Sequence, residues 1–410
     1  MTPQYPQHLD DISSLIKDAM ADGAALAVAG HGSKSDWGYP AAEARPVVLD
    51  RLSGVIDYQP EELILTVRAG TAMTEINKTL AKQNQMLGFE PPDPSQLYGA
   101  NNPSSNKGSI GGVLATNLSG SRRLTAGAAR DFLLGFEAAS GRGERFRSGG
   151  KVVKNVTGYD LSKLICGSFG TLAIMDEITL KTLPKPEATQ SVIFLADDLA
   201  AAGKHIAAIL ATPHEPSAAA ILPADMAAKA GYDVAKMLVI IRLEGFAVSV
   251  NARADALLSL YAGGDVIDDK ASQSLWQLIT NTELLADSHG DIWKVSCPAS
   301  AAPAIIQGLK DILPKDLPLR YYADWAGGLL WLDLPSQATP EDVAYGARLR
   351  QILADHGGGF AQLIRDSNKT RQYVPAFQPL ADAQFGLHKR IKAAFDPMRV
   401  LNPGRMHHDI

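Results

Sequence analysis

Apolar side chains first recur at helical spacing, with Ile12, Leu15, Ile16, Ala19 and Met20 on one face of a helix over residues 9–20. Asp10 and Asp11 occupy its first turn, where the helix dipole favours acidic groups. The period then gives way to a short apolar run, ALAVA at 25–29, which predicts a strand. A glycine loop, GHGSKSDWG at 30–38, separates it from the further strands PVVLD, GVIDY and LILTVRAG. A second amphipathic helix carries Met73, Ile76 and Leu80, and MLGFEPPDP reads as the strand after it.

Between Gly99 and Gly120 the chain turns rich in glycine and serine, yet Ile110, Val113 and Leu114 keep helical spacing. This predicts a short helix presenting its N-terminal amides near Ser109 to Gly112. A strand DFLLGFEAA, a hairpin through SGRGERFRSGG, a helix DLSKLICG, a loop GSFGTLAI and a strand EITLKTL follow, and PKPE at 184–187 marks a boundary. Beyond it the strands SVIFL, AAAILP, KMLVIIRLE, DIWKVS and LLWLDLP alternate with Ala-rich helices, which predicts an α+β unit of the split βαβ kind. From residue 341 a helix, the strand GFAQLIR and a final helix lead to FDPMRVLNPGRM; no internal repeat is visible in the sequence.

At 410 residues the chain exceeds a single core, given roughly 100 to 200 residues per domain. Lys and Arg number 39 against 44 Asp and Glu, a net charge of -5 without a basic block, which argues against a nucleic-acid partner. No apolar run reaches the ~18 residues of a membrane span. MTPQYPQHLDD has neither the basic nor the apolar region of a secretion signal, so a cytoplasmic location is expected. Cys166 and Cys297 are too few for a disulfide framework, a structural zinc site or a Cys-ligated iron–sulfur cluster within the chain, and buried packing is the expected role of each.

The loop at 30–38 fails two known phosphate patterns. A Walker A loop needs G-x-x-x-x-G-K-[ST], but Ser33 separates Gly32 from Lys34. A Rossmann fingerprint needs a third glycine where Ser35 stands and a helix afterwards, yet Pro40 and Pro46 bracket AAEAR and the chain continues as a strand. The loop thus joins strand to strand, and an ordinary turn stays open. With the stretch at 99–120 it makes two amide-rich loops, and nests of backbone N–H groups bind anions without basic side chains.

Five segments together, AGHGSKS, EPPDP, GSIGGVLATNLSG, GGKVVKNVTGYDLSKLICGSFGTLAI and KAAFDPMRVLNPGR, resemble the vanillyl-alcohol-oxidase (PCMH-type) flavoproteins over residues 1–185 and the tail from 380. Chain length, the run from Lys151 to Leu164 and the closing segment make the chain similar, within that superfamily, to the second flavin subunit of bacterial glycolate oxidases. The resemblance implies an α+β architecture: a two-lobed PCMH-type FAD-binding domain at 1–185, a split βαβ-like cap at 186–345, and a segment at 346–410 that completes the cap and returns to the FAD domain. It implies that the first loop wraps the FAD pyrophosphate, with close backbone approach at Gly30 and Gly32, amides from His31 to Lys34, and a hydroxyl from Ser33 or Ser35. The Lys34 side chain is read as exposed in preference to a phosphate ligand. By the same resemblance Pro92 and Asp93 lie along the cofactor, and Gly108, Ser109, Gly112, Ala115, Thr116 and Asn117 line the flavin side. Gly170, Thr171 and Ile174 offer loop backbone to the flavin or the adenine-ribose portion. Some relatives attach FAD through a histidine in the first loop; aligning the glycines puts Ser33, not His31, at that position, so non-covalent FAD is implied and His31 is read as a loop residue acting through its backbone.

Oxidation of a 2-hydroxy acid requires a base or metal for the hydroxyl proton, a cation for the carboxylate and a flavin to accept hydride. Catalytic dehydrogenases resembling this fold carry histidine clusters of the H-x-H and H-G-D-G-N kind in the cap. This chain has neither: His205, His214 and His289 are scattered, His356 precedes three glycines at a helix end, and His407 and His408 lie in the tail. Surface or capping roles are expected for them, and no metal. Arg320, Arg365, Arg371 and Lys294 are candidate carboxylate clamps, with solvated strand-edge charge as the plainer reading of each. Tyr159 is read as a flavin contact or a packed tyrosine, Trp325 and Trp331 as cap core or a protein interface, and the catalytic residues stay unassigned. The reading that joins these features is the FAD-binding subunit of a glycolate oxidase complex, contributing to oxidation of glycolate to glyoxylate beside a catalytic flavin subunit and an iron–sulfur subunit. It would be cytoplasmic, or peripheral at the inner membrane through those partners. A self-sufficient FAD-dependent 2-hydroxy-acid or alcohol dehydrogenase, and a structural subunit with a vestigial flavin site, stay open.

Overall fold

In the computed structural model, which describes residues 2–41, 43–98, 108–150, 159–337, 339, 342–366 and 369–410, the helix Leu9–Ala21 buries Ile12, Ile16 and Ala19. The Asp11 carboxylate closes its start by accepting from the backbone N–H groups of Gln7 and His8 at 2.8 and 3.0 Å. The strand Leu26–Ala29 pairs in parallel with Arg45–Val48, and single bridges join Leu26 to Leu401 and Val47 to Gln4. The C-terminal tail is thereby built into the N-terminal lobe.

A five-stranded antiparallel sheet forms the second lobe, in the order Val55–Gln59, Ile64–Arg68, Ala173–Lys181, Leu133–Ser140, Arg145–Gly149. The helix Met73–Ala81 turns Met73, Ile76 and Leu80 inward, as their spacing predicts. MLGFEPPDP departs from the expected strand: only Gln85–Met86 pairs, with Leu183–Pro184, and the rest is turn and coil as far as a 3-10 helix that opens at Pro94. Pro91 and Pro92 have no N–H to give a ladder, and Glu90 sits at φ 49, outside the β region. Residues 99–107 and 151–158, on which part of the second amide-rich loop and of the run from Lys151 fall, lie outside the described residues.

Beyond Pro186 eight strands form one antiparallel sheet, which is the cap. Its chain path resolves into two βαββαβ units. The first runs through Ala188–Ala196, helix Leu199–Leu210, Ala218–Leu222, Met237–Gly245, helix Ala247–Leu260 and Asp265–Ile267. The second runs through Asp291–Ser296, helix Ala302–Ile312, Arg320–Asp324, Leu329–Leu334, helix Tyr345–Asp355 and Phe360–Arg365. Each is a split βαβ fold, and they meet edge to edge where Ile221 pairs with Ala323. The duplication leaves no readable repeat, because a core needs matching volume and pattern rather than matching residues. The strands Asp265–Ile267 and Arg320–Asp324 go beyond the sequence reading, the first because it is only three residues long, the second because Arg and Asp flank its apolar centre.

Alternation along the cap strands splits their side chains between two cores. Val239, Ile241 and Leu243 belong to the core that also takes in the apolar faces of the four helices, whereas Leu238 and Ile240 join the core that contains Val67, Phe132 and Ile178 of the N-terminal part. Cys166 is buried, its thiol donating to the Leu114 carbonyl at 3.1 Å, and burial pushes its pKa up to about 12. Among the described residues no helix is long and apolar enough to cross a membrane.

Candidate functional site

At the end of Leu26–Ala29 the chain leaves its sheet through two successive turns, Ser35 N–H to the Gly32 carbonyl at 3.0 Å and Trp37 N–H to the Lys34 carbonyl at 3.1 Å. Gly32 takes φ +74, a left-handed value open to glycine at no steric cost. Trp37, 1% exposed, anchors the loop in the core, and Arg405 fastens it from the tail by donating to the Lys34 and Ser35 carbonyls at 2.8 Å each. Gly30 lies so close to Ser109 that an added Cβ would fall 2.1 Å from its Oγ. The two amide-rich segments can therefore touch only because position 30 has no side chain.

The short helix Ile110–Ala115 starts at Ser109, whose Oγ accepts from Gly112 N–H at 3.4 Å. Gly111 packs on Ala69, where a Cβ would meet the carbonyl oxygen at 2.8 Å; Gly112 has only the Ser109 Oγ near its Cβ position, at 3.5 Å, and looks onto open space. A third wall comes from Ser168, Phe169, Gly170 and Ala173 to Met175. Asn402 ties the walls together, its Oδ1 accepting from Val28 N–H at 2.7 Å and its Nδ2 donating to the Phe169 carbonyl at 2.9 Å. These segments enclose a cavity of about 350 Å³.

Its chemistry is that of an incomplete polar shell. His31 Nε2 donates to the Gly70 carbonyl at 2.9 Å, which leaves Nδ1 as an acceptor; Nδ1 and Ser168 Oγ are buried in the wall without a partner among the described residues. Lys34 corrects the exposed reading: the side chain is 9% exposed, because the loop folds it inward beside Gly108. Its Nζ donates to Ser33 Oγ at 3.1 Å, and burial pushes its pKa down to about 8 against the pull of Asp93. An under-bonded ammonium, two unpartnered polar atoms and a wall of bare backbone suit a ligand carrying negative charge and hydroxyls. Val28, Leu49 and Ile174 add an apolar side that suits a flat ring.

Of the residues assigned by resemblance, Gly30, His31, Gly32, Ser33, Lys34, Ser35, Ser109, Gly112, Ala115, Thr116, Gly170 and Ile174 line this cavity. Gly108 stands beside it, its Cβ position 2.5 Å from Ser33 Oγ. Thr171 and Asn117 turn elsewhere: Thr171 Oγ1 donates to the Ser168 carbonyl at 2.7 Å, and Asn117 Oδ1 accepts from Arg130 N–H at 3.2 Å. Pro92 and Asp93 line a second cavity, of about 370 Å³, where Asp93 N–H donates to Asn281 Oδ1 at 2.9 Å. Sequence reasoning assigned no role to Ser168, Phe169, Asn402 or Arg405; the last two flank the Pro-Gly turn of LNPGR, a polar pair in a closing segment already tied to the resemblance.

The second cavity holds a buried network. Arg242, stacked 4.6 Å from the Trp276 ring centroid, donates to both Glu90 oxygens at 2.7 and 3.0 Å, and Arg122 pairs with Glu244. Two cations meet two acids there. Of the candidate clamps, Arg320 pairs with Asp287 and Asp333, Arg371 with Asp366, and Arg365 donates to the carbonyls of Leu97, Ser288 and Gly290. His205 stacks on Phe194 and Tyr261 at 4.6 and 4.7 Å, and His408 on Tyr39 at 3.9 Å. Tyr159 is 91% exposed, which sets aside the packed alternative, and Trp331 is buried in the cap sheet. Among the described residues no three His, Cys, Asp or Glu side chains converge to hold a metal ion.

Comparison with known proteins gives two family matches, an FAD binding domain over residues 4–149 and the C-terminal domain of FAD linked oxidases over residues 369–406. The glycolate oxidase subunit GlcE of Escherichia coli K12 is 31% identical over 96% of this chain and 96% of its own length. The glycolate oxidase subunit GlcD of Bacillus subtilis 168 is 25% identical over 99% of this chain and 90% of its own. The crystal structure of p-cresol methylhydroxylase with substrate bound shares the fold, with a TM-score of 0.71 at 15% identity over 99% of this chain and 88% of that one. The glycine loop, the wall around Ser109 and the tail that carries Asn402 all fall within the matched segments, and the chain belongs to the FAD-linked oxidoreductases, in the family of the GlcE-type glycolate oxidase subunits.

Proposed function

We propose that this chain is the FAD-binding subunit of a glycolate-oxidase-type complex, contributing to oxidation of glycolate to glyoxylate and passing electrons to an iron–sulfur partner. The observation that carries this reading is the glycine-lined cavity whose unpartnered His31 Nδ1 and Ser168 Oγ await a hydroxyl-bearing, anionic ligand. FAD, when bound, supplies a redox centre that takes up electrons from the oxidation and hands them on. Backbone N–H groups of loop 30–35, with Lys34, would hold its phosphates, and His31 and Ser168 its sugar hydroxyls. Asn402 and Arg405 keep the walls in register. The cap lacks the histidine cluster of self-sufficient relatives, which favours a chain working beside a catalytic flavin subunit.

The test is the visible spectrum of the purified chain, kept anaerobic. A flavin band is expected that acid precipitation releases into solution, as non-covalent binding requires, and that glycolate leaves unbleached until the partner subunits are added. Bleaching of the isolated chain by glycolate would make it a self-sufficient dehydrogenase, and a colourless chain would make the site vestigial. Asn402→Ala removes three hydrogen bonds between tail and walls, a long one to the Val28 carbonyl at 3.5 Å and two short ones each worth about 1 kcal/mol. Equilibrium dialysis should find FAD held about tenfold more weakly by that variant.

A further inference from the structure

The four charges around Glu90 neutralise one another; one residue along from Arg122 the balance fails. Arg123 belongs to the N-terminal part, and Lys294 lies on the cap strand Asp291–Ser296. The Arg123 guanidinium is 4.6 Å from the ring centroid of Trp325, and the Lys294 ammonium is 5.5 Å from the same ring and 5.9 Å from that of Trp331. Among the described residues neither head group makes a hydrogen bond or an ion pair. The acids near enough to act on them are engaged elsewhere. Asp324 accepts from Ser121 Oγ and Trp325 N–H, both at 2.7 Å, and Asp131 accepts from Ala128 N–H at 2.9 Å and from Lys163 at 3.0 Å.

Two like charges 4.6 and 5.5 Å from one ring centroid and without an anion beside them are costly. Burial first, and Arg123 second, push the Lys294 pKa down to about 8. Trp325 is fixed by its Nε1–H, which donates to the Gly120 carbonyl at 3.0 Å, and it sits at φ 49 with Ala326 after it at φ 57. Left-handed backbone at a bulky aromatic is strained, and such strain gathers at ligand sites. Of the four cap cations that sequence reasoning offers as carboxylate clamps, Lys294 alone has a head group with no acid or carbonyl among the described residues.

We propose that Arg123 and Lys294 together hold the carboxylate of the small 2-hydroxy acid, with the Trp325 indole as the apolar wall beside it. The guanidinium fork matches a carboxylate, the ammonium adds a point charge from the opposite side of the domain seam, and the pair is completed only when cap and N-terminal part are both in place. The substrate class follows from the hydroxy-acid reading above.

Isothermal titration calorimetry of the flavin-loaded chain tests it, with glycolate as probe and ethylene glycol and inorganic phosphate as comparisons. The chain is expected to bind glycolate and to ignore ethylene glycol, which has the hydroxyl without the carboxylate. Lys294→Met and Arg123→Met should each weaken glycolate about tenfold while keeping the flavin band and the melting temperature, and Lys294→Arg should stay within about threefold of the parent. Unchanged glycolate affinity in both methionine variants, no glycolate binding by the parent, or phosphate bound in place of glycolate would each overturn the assignment and leave the FAD reading standing. A colourless parent chain whose glycolate binding is still lost on Lys294→Met would do the reverse.

Discussion

Gly112→Val is expected to yield a folded chain without flavin. The Cβ position at Gly112 has no neighbour within 4 Å except Ser109 Oγ at 3.5 Å, and the residue lines the cavity. The added methyl groups therefore go into the space reserved for the ligand and not into protein. The backbone tolerates the change, since valine is no worse than glycine inside a helix, both lying within about 1 kcal/mol of alanine. Flavin content, read as the ratio of visible to ultraviolet absorbance, should fall about tenfold or more, and the melting temperature should move by about 3 °C or less. Gly111→Val makes the contrast: its Cβ would press on the Ala69 carbonyl at 2.8 Å, so it should cost stability before it costs flavin. A fully flavinated Gly112→Val chain would remove this cavity from the cofactor site.

Lys392→Met is expected to give the largest loss of stability. Lys392 and Asp396 stand one turn apart on the last helix and its end, 3% and 0% exposed, joined at 2.8 Å. All three ammonium protons are used, the other two on the carbonyls of Thr171 at 2.7 Å and Leu401 at 2.8 Å. Asp396 in turn accepts from Val400 N–H at 2.9 Å and Leu401 N–H at 2.8 Å. Methionine replaces the four-atom stem of lysine without its ammonium, so the variant leaves a buried carboxylate with no cation and frees the tail strand that bridges Leu26. Breaking a buried pair from one side costs about 3–5 kcal/mol, far above the ~1 kcal/mol of an exposed pair. Denaturant unfolding measures which applies. A loss below about 1 kcal/mol would show that the pair does not clasp the tail.

The second prediction rests on a residue whose surroundings lie far away in sequence. Lysine in KRIKAAF reads as the polar side of an amphipathic helix, and only the arrival of Thr171 and Leu401 buries it. Lys34 misleads in the same way, since Gly108 and the inward fold of the loop decide its exposure. The four cap cations look alike as letters. Three find acids or carbonyls contributed by segments such as 287–290 and 366, and the fourth does not.

By itself the sequence determined what repeats or turns locally. The 3.6-residue spacing of Ile12 and Ile16, and of Met73, Ile76 and Leu80, set two helices, the apolar runs set most strands, and the glycines at 30, 32 and 112 marked where backbone lies bare. Those signals need only neighbours along the chain. The tertiary structure alone decided that the cap is one motif used twice, that Asn402 and Arg405 close the cavity from the tail, and which charges have partners and which do not. Whether a charge is paired depends on atoms from separate segments meeting within a few ångströms, as Arg242 and Glu90 do across 152 residues, and no local pattern records that distance.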